Sequence, residues 1–331
     1  MRTSDIVPVT ANLHITSACN YRCVFCYAVF PGLRAARGPE EWIDVIRLLA
    51  AAPPLLGRYK IDKLTFAGGE PTLVPYLPEL LRTTRDAGFV SSLVTNGTGI
   101  SVALLEACAD YLDWVALSID SPNEDTNALL GRGNGDHVAQ TLAAAALLRR
   151  YPRIRIKLNT VVTSLNWQED FHHLVRHVGP ERWKVLQATR IEDQNGETIA
   201  PYQVKAEQFA AFCRRHADLN PISEREDDIK GSYLMIDPER RFFGNSSGRH
   251  VYSEPILRVG VEEAVRQVGW SPDAFVARGG SYEWRKAGPE VRSRRCATFG
   301  RSSGTSAVIA GGAKGPTRSG PRPAGPASSS L

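Results

Sequence analysis

The stretch NLHITSACNYRCVFC, residues 12–26, joins an alternating strand pattern to a cysteine-rich loop. Successive side chains of a strand point to opposite faces, so Asn12 and His14 share one face while Leu13 and Ile15 share the other. The cysteines that follow have the spacing C-x3-C-x2-C and are Cys19, Cys23 and Cys26. We expect a strand with one polar and one apolar face, followed by a loop that carries three thiols.

Similar strand patterns recur along the chain, with helical patterns between them. The predicted strands cover residues 11–16, 63–67, 90–95, 114–119, 154–162 and 183–188. The predicted helices between them cover residues 39–51, 74–88, 101–111, 136–151 and 167–178. Strands that alternate with helices indicate a parallel sheet, either open or rolled into a barrel.

Polar and cationic side chains share one face of these strands. They are Lys63 and Thr65, Ser118 and Asp120, Arg155, Lys157 and Asn159, and Arg182 and Lys184. Buried parallel strands usually read as continuous apolar runs, and a closed eight-stranded barrel fills its interior with branched apolar side chains. Because unpaired buried cations are costly, the pattern predicts an incomplete six-stranded barrel whose lumen holds a large anionic ligand.

The chain divides into three predicted regions. Residues 1–200 form an α/β partial (βα)6 TIM-like barrel. Residues 201–296 form a small α+β extension that covers the site, with a helix over 204–216 and a hairpin built from 232–237 and 241–243. Residues 297–331 are rich in Gly, Ser, Pro and Ala. That composition cannot bury enough apolar area to order itself, so we expect a disordered tail.

Charge and hydropathy exclude two classes of protein. The chain has 331 residues with 40 basic and 35 acidic side chains. Four of the basic residues lie in 297–331, so 40 minus 4 leaves 36 against 35 upstream. This near-neutral balance argues against a nucleic-acid-coating protein. No run of 18 apolar residues or secretory signal pattern exists, so we expect no membrane contact and a cytoplasmic location.

The clustered cysteines indicate metal ligation. Three of the six cysteines lie within eight residues, which is not the spacing of a disulfide framework. Three thiolates are one short of a closed structural zinc or ferredoxin site, so one metal position would stay open. The residues alone leave a second interpretation, a zinc site completed by a fourth ligand such as His14 or Cys108.

The cysteine spacing, with Phe25 before the last cysteine, resembles the cluster loop of radical S-adenosylmethionine (SAM) enzymes. That resemblance implies a [4Fe-4S] cluster with one iron free for the methionine end of SAM. Longer stretches resemble the viperin-like members of the family, from about residue 10 to about 286. They are SIDSPNEDTNALLGRGNG (118–135), KLNTV (157–161), RWKVLQ (182–187), SYLMID (232–237), VGVEEA (259–264) and RGGSYEW (278–284).

The resemblance implies an activity and two partners. Viperin-like enzymes dehydrate a ribonucleoside triphosphate to its 3′-deoxy-3′,4′-didehydro form, a chain terminator in antiviral defence. A 5′-deoxyadenosyl radical removes the 4′ hydrogen, and a flavodoxin- or ferredoxin-type donor supplies electrons. Thr65 and Ala67 stand where vertebrate viperins, which use CTP, carry Asn and Ser, so CTP, UTP and GTP all stay open as substrates.

The resemblance also implies roles for individual residues. The cluster ligands would be Cys19, Cys23 and Cys26. SAM would contact Gly68, Gly69, Glu70, Asn96, Ser118 and Arg132. The triphosphate would be held by Lys63, Lys157, Asn159, Arg182 and Lys184.

Two further residues have interpretations of their own. Tyr282 is the candidate proton donor to the leaving 3′ hydroxyl, because a phenol stays protonated at neutral pH. The alternative is an aromatic ring that only packs beside Trp284. Arg155 lies nearer the amino-terminal end of its strand and is expected to neutralise a carboxylate in the lumen, outside the substrate site.

Competing functions predict different features. A molybdenum-cofactor cyclase would carry a second cysteine cluster, whereas only Cys213 and Cys296 lie downstream of residue 200. A peptide-modifying maturase usually adds a peptide-binding domain or further clusters. A noncatalytic nucleotide- or zinc-binding protein is the alternative from another class.

Overall fold

A computed structural model describes residues 6–33 and 38–285. Ten strands form one sheet. The six that the sequence predicts are β1 (Val7–His14), β2 (Tyr59–Ala67), β3 (Val90–Thr95), β4 (Trp114–Ser118), β5 (Arg155–Val162) and β6 (Arg182–Gln187). The other four are β7 (Ile222–Glu224), β8 (Leu234–Ile236), β9 (Arg241–Gly244) and β10 (Val251–Pro255).

Helices connect the strands and follow them. Those between β1 and β6 are α1 (Pro39–Ala51), α2 (Leu77–Asp86), α3 (Val102–Cys108), α4 (Glu124–Leu129), α5 (His137–Leu148) and α6 (His172–Val178). Those after β6 are α7 (Ala206–Arg215), α8 (Glu226–Ile229), α9 (Ile256–Val259), α10 (Val261–Arg266) and α11 (Pro272–Ala277). The short α4 has no counterpart among the predicted helices.

The strand order confirms the α/β prediction and extends it. Strands β1 to β6 are neighbours in sequence order and pair in parallel. Strand β7 adds in parallel beyond β6, and β8 adds in parallel on the other side of β1. The predicted hairpin is the antiparallel pair β8 and β9, and β10 continues it. The sheet stays open between its two end strands, β10 and β7.

The two faces of the parallel strands meet different surroundings, as their alternation predicts. Leu13, Ile15 and Phe66 are fully buried in one core, together with Trp42 of α1 and Leu80 of α2. The opposite face carries the polar side chains and borders an internal cavity. The helices therefore cover the apolar face, and the polar face is free to bind a ligand.

The predicted extension joins the same sheet through β7 and β8. The described residues belong to one compact unit, and the boundary at residue 200 stays a prediction. The tail predicted over 297–331 and Cys296 lie outside the described residues. In the parts of the chain that the structure describes, no helix is long and apolar enough to cross a bilayer.

Candidate active site

One cavity at the polar face brings together all fifteen residues that the sequence nominates. The thiols of the cysteine loop lie at it, as do the glycines after β2 and the cations of β2, β5 and β6. The residues are Cys19, Cys23, Cys26, Lys63, Gly68, Gly69, Glu70, Asn96, Ser118, Arg132, Lys157, Asn159, Arg182, Lys184 and Tyr282. The structure thus places them around one cavity, and their roles stay predictions.

Hydrogen bonds from several segments hold the cysteine loop at the cavity. The amide of Arg22 donates to the carbonyl of Gly131 at 3.1 Å, and the amide of Val24 donates to the carbonyl of Leu130 at 3.1 Å. The Asn195 side chain donates to the carbonyl of Phe25 at 3.0 Å. The loop is therefore fixed by its backbone, and its sulfurs remain available as ligands.

The two glycines after β2 are needed because a larger residue there would collide with the cysteine loop. A Cβ on Gly69 would lie 2.0 Å from the carbonyl oxygen of Ala18, and one on Gly68 would lie 2.4 Å from that of Thr16. The Gly69 amide donates to the Thr16 carbonyl at 2.7 Å. Their small size lets the end of β2 dock against the start of the cysteine loop, rather than only leaving room for a ligand.

Glu70 ties the ends of two strands together. One oxygen of its buried carboxylate accepts from the Thr95 hydroxyl at 2.7 Å, and the other accepts from the Asn96 amide at 2.7 Å. The Asn96 side chain in turn donates to Asn20 of the cysteine loop at 2.8 Å. Glu70 and Asn96 therefore fix the cavity's mouth besides bordering it.

The donor set at the loop does not fit a single zinc ion. Tetrahedral zinc with Zn–S bonds of about 2.3 Å brings its sulfurs to within roughly 3.8 Å of one another. Among residues 6–33 and 38–285, the only group of three ligand atoms within 4.8 Å of one another is Asp170, His172 and His216, away from the loop. Cys108 is buried in the main core behind the sheet. Three thiols at one cavity that Cys108 does not border can hold an iron–sulfur cluster with one open iron position.

His14, the other residue suggested as a fourth ligand, borders the same cavity and packs among aromatic rings. It is buried between Phe30 and Phe243, with ring centroids 5.4 and 5.2 Å away. Burial lowers its pKa to about 3, so the ring is neutral at pH 7. Neither ring nitrogen has a hydrogen-bond partner within the described residues.

Several polar groups of the β5 and β6 wall have no partner in the protein. The Asn159 side-chain oxygen and the Arg182 Nε atom are buried and unpaired within the described chain. No hydrogen bond from those residues reaches the ammonium group of Lys157 either. Since buried polar groups are ordinarily satisfied, these atoms point to a polar ligand.

Lys63 lies in a cage of aromatic rings at the end of the cavity where strands β3 and β4 begin. Its Nζ atom is 5.0 Å from the ring centroid of Trp114 and 5.8 Å from that of Trp284. It donates to the Tyr282 hydroxyl at 2.9 Å, while the Arg182 guanidinium stacks on the Tyr282 ring at 3.8 Å. Tyr282 therefore both packs against Trp284, at 5.4 Å, and presents its hydroxyl to the site.

Sequence reasoning missed a polar network beside Lys184. Glu224 forms ion pairs with Lys184 and with Arg278, the latter at 2.9 Å. The Tyr233 hydroxyl donates to Glu224 and accepts from Lys184 at 2.8 Å. Arg278 opens the RGGSYEW stretch and could have been nominated from it, whereas nothing around Glu224 marks it.

The expectation that Arg155 pairs with a carboxylate in the lumen is wrong, although the residue does lie outside the lining of the cavity. Its guanidinium stacks on Trp114 at 3.9 Å and lies 4.0 Å from Glu181, whose side chain is half exposed. Its partner is therefore a carboxylate at the surface and not one in the lumen. The carboxylate that borders the cavity is Glu70, and Asp120 pairs with Arg132 behind the lining.

The buried cations depress one another's proton affinity. Burial, helped by Arg155 and Lys184, lowers the pKa of Lys63 to about 7. Burial also lowers the pKa of Lys184 to about 8, although Glu224 opposes the change. The pKa of Lys157 falls well below its usual value because of burial and of Lys184 and Lys63. The site is therefore short of negative charge.

Comparisons with known proteins identify a family and relatives that this chain resembles. Residues 13–178 match the family model of the radical SAM superfamily. An S-adenosylmethionine-dependent nucleotide dehydratase of Lacinutrix mariniflava is 37% identical over 287 residues, which are 83% of this chain and 58% of that protein. The chain thus spans less than two thirds of that relative.

A second relative matches along nearly its whole length. The protein of the same name from Flammeovirga pacifica is 35% identical over 291 residues, which are 85% of this chain and 98% of that one. The solved structure of histidine-tagged anSMEcpe with bound AdoMet has a TM-score of 0.60 at 18% identity and covers 81% of this chain and 84% of that chain. Likeness at that identity bears on the fold alone.

Proposed function

Since the chain belongs to the radical SAM superfamily and, within it, to the S-adenosylmethionine-dependent nucleotide dehydratases, we propose that it dehydrates a ribonucleoside triphosphate. The expected product is the 3′-deoxy-3′,4′-didehydro nucleotide, which terminates RNA chains in antiviral defence. The observation that carries the proposal is a wall of cationic and polar side chains, some of whose buried atoms have no partner in the described chain, that shares one cavity with the cysteine loop.

Members of this superfamily use a [4Fe-4S] cluster and SAM, which together supply one-electron chemistry that removes a hydrogen atom from the substrate. Cys19, Cys23 and Cys26 are the residues that would hold the cluster. The residues after β2 and β3, with Ser118 and Arg132, would hold SAM beside it. A flavodoxin- or ferredoxin-type protein is the proposed electron donor.

The cation wall binds the other end of the substrate. Lys157, Asn159, Arg182 and Lys184 come from adjacent strands in register, with Lys157 opposite Arg182 and Asn159 opposite Lys184. Charge-assisted hydrogen bonds from lysine and arginine are the strong ones for phosphate. With the phosphates on this wall and SAM at the cysteine end, the ribose lies between them.

Tyr282 is the proposed proton donor to the departing 3′ hydroxyl. Burial raises its pKa, so the phenol keeps its proton at neutral pH. Lys63 donates to the same oxygen at 2.9 Å and so orients it. A Tyr282→Phe variant should bind nucleotide as the wild type does and form little product, and full turnover would remove the assignment.

The test is a panel of four ribonucleoside triphosphates. The protein is reconstituted anaerobically with iron and sulfide, reduced, and supplied with SAM and each triphosphate in turn. We expect 5′-deoxyadenosine release above the nucleotide-free background with at least one triphosphate, together with a product lighter by one water. A protein that loads its cluster and binds SAM but gives only background release with all four would contradict the proposal.

A further inference from the structure

A buried carboxylate stands just behind the cation wall. Glu224, the last residue of β7, is fully buried and does not itself border the cavity. Its three polar partners do border it. They are Lys184, Arg278 and Tyr233.

The three partners come from distant parts of the chain. Lys184 belongs to β6, Tyr233 precedes β8, and Arg278 follows α11. The network is closed, because Lys184 donates to the Tyr233 hydroxyl at 2.8 Å and the Arg278 guanidinium stacks on the Tyr233 ring at 3.8 Å. A single carboxylate therefore fixes where three cavity side chains point.

The charge of the site gives the carboxylate a second effect. The cations that border the cavity on this side are Lys63, Lys157, Arg182, Lys184 and Arg278. When all five are protonated, their formal charge with Glu224 is five minus one, or +4, and a bound triphosphate, with about four negative charges, favours those protonated forms. Without Glu224, two adjacent cations would be buried with no counter-charge, which is strongly unfavourable.

We propose that Glu224 is a positioning residue of the nucleotide site: it aims Lys184 and Arg278 at the phosphates and keeps Lys184 charged. This inference rests on the proposed function, since it assumes that a triphosphate is the ligand. Glu224 does not touch the nucleotide and acts only through its partners.

The proposal predicts a change in pH dependence. Burial lowers the pKa of Lys184 to about 8, and Glu224 opposes that decrease while Arg278 and Arg182 add to it. Lys157 and Lys63 titrate in the same cavity. Removing the charge of Glu224 lowers the pKa of Lys184 further. Lys184 then loses its proton, and with it the charge that binds phosphate, at a lower pH.

The experiment measures nucleotide affinity without turnover. Dissociation constants of the reconstituted protein for its preferred triphosphate and for inorganic tripolyphosphate are determined between about pH 6.5 and 8.5. From the lowest to the highest pH, the dissociation constant of Glu224→Gln should rise by a factor about tenfold larger than that of the wild type, which is the effect of one pKa unit. The matched control is Glu207→Gln, the same exchange at an exposed position on α7, which should follow the wild type.

A second variant separates the effect of the carboxylate charge from that of the side-chain length. Glu224→Asp keeps the charge but shortens the side chain, so we expect the wild-type pH midpoint with weaker binding at every pH. Parallel pH profiles of Glu224→Gln and wild type, or wild-type affinity in Glu224→Asp, would overturn the inference and leave the proposed function intact. A wild-type protein that binds neither probe at any pH would overturn both.

Discussion

At the scale of single residues, the cations of the wall outnumber the carboxylates that pair with them. Glu224 serves two of them, Lys184 and Arg278, and it is a strong acid in this setting: although burial opposes ionisation, these two cations lower its pKa to about 2. No hydrogen bond reaches the ammonium of Lys157 from the described chain. A ligand with several negative charges would supply the missing partners.

Removal of one unpaired cation should therefore weaken phosphate binding. A hydrogen bond to a charged group contributes about 1.5 to 3 kcal/mol, so Lys157→Met should raise the triphosphate dissociation constant by about 10- to 100-fold. The measurement is titration calorimetry on the reconstituted protein. Lys60→Met, at an exposed position of β2, is the matched control. A value for Lys157→Met within twofold of wild type would show that this lysine is not a phosphate ligand.

Binding of the triphosphate should also take up protons. Free Lys63 and Lys184 have pKa values lowered to about 7 and 8 by burial, so both are partly neutral at pH 8. A bound polyanion favours their charged forms and raises both pKa values. We expect affinity to fall as pH rises above 7, with net proton uptake at pH 8, measured by calorimetry in buffers of different ionisation enthalpy. The nucleoside without phosphates is the control, and proton release on triphosphate binding would contradict this explanation.

At the scale of elements, strand alternation predicted the site's wall but not what lies behind it. Lys157 and Lys184 could be predicted because each lies on the polar face of a strand whose side chains alternate between polar and apolar. Glu224 could not, because β7 is three residues long and too short to show a period. Cys108 shows the reverse case: its thiol suggested a zinc ligand, and only the fold places it in the core.

The contact between the end of β2 and the cysteine loop is the element-level feature most open to test. A Cβ at Gly69 would lie 2.0 Å from the Ala18 carbonyl, so Gly69→Ala must shift the loop that carries Cys19. We expect the variant to fold but to retain less than half of the wild-type iron after reconstitution, measured by iron and sulfide analysis.

The control for this variant is Gly248→Ala. Gly248 has φ +75°, and a Cβ added to it would meet nothing within 4 Å. Alanine there therefore meets only backbone strain of about 1 kcal/mol. Its iron content should equal that of the wild type. Full iron loading in Gly69→Ala would mean that the loop is not held through this contact.

At the scale of the whole molecule, residues 278–285 close the cavity at the end where strands β3 and β4 begin. The Trp284 indole donates to Asp62 at 2.7 Å, and the backbone carbonyl of Trp284 accepts from the Trp114 indole at 3.0 Å. Arg285 adds an ion pair with Asp62 at 2.5 Å. The RGGSYEW stretch could be recognised in the sequence, but its place beneath Lys63 could not, because no pattern relates residue 284 to residue 62.

Because of this closure, loss of Trp284 should weaken nucleotide binding by more than the accompanying loss of stability explains. Truncating a buried tryptophan costs about 3 to 5 kcal/mol, so Trp284→Ala should lower the melting temperature. Trp270→Ala removes an equally large buried ring that packs on Tyr59 and Phe275, away from the cavity, and so matches that loss. Because Trp284, unlike Trp270, belongs to the aromatic cage of Lys63, we expect only Trp284→Ala of the two variants to raise the triphosphate dissociation constant at least tenfold, with SAM binding and iron content unchanged. Equal effects of the two variants on nucleotide affinity would show that the segment contributes to stability and not to the site.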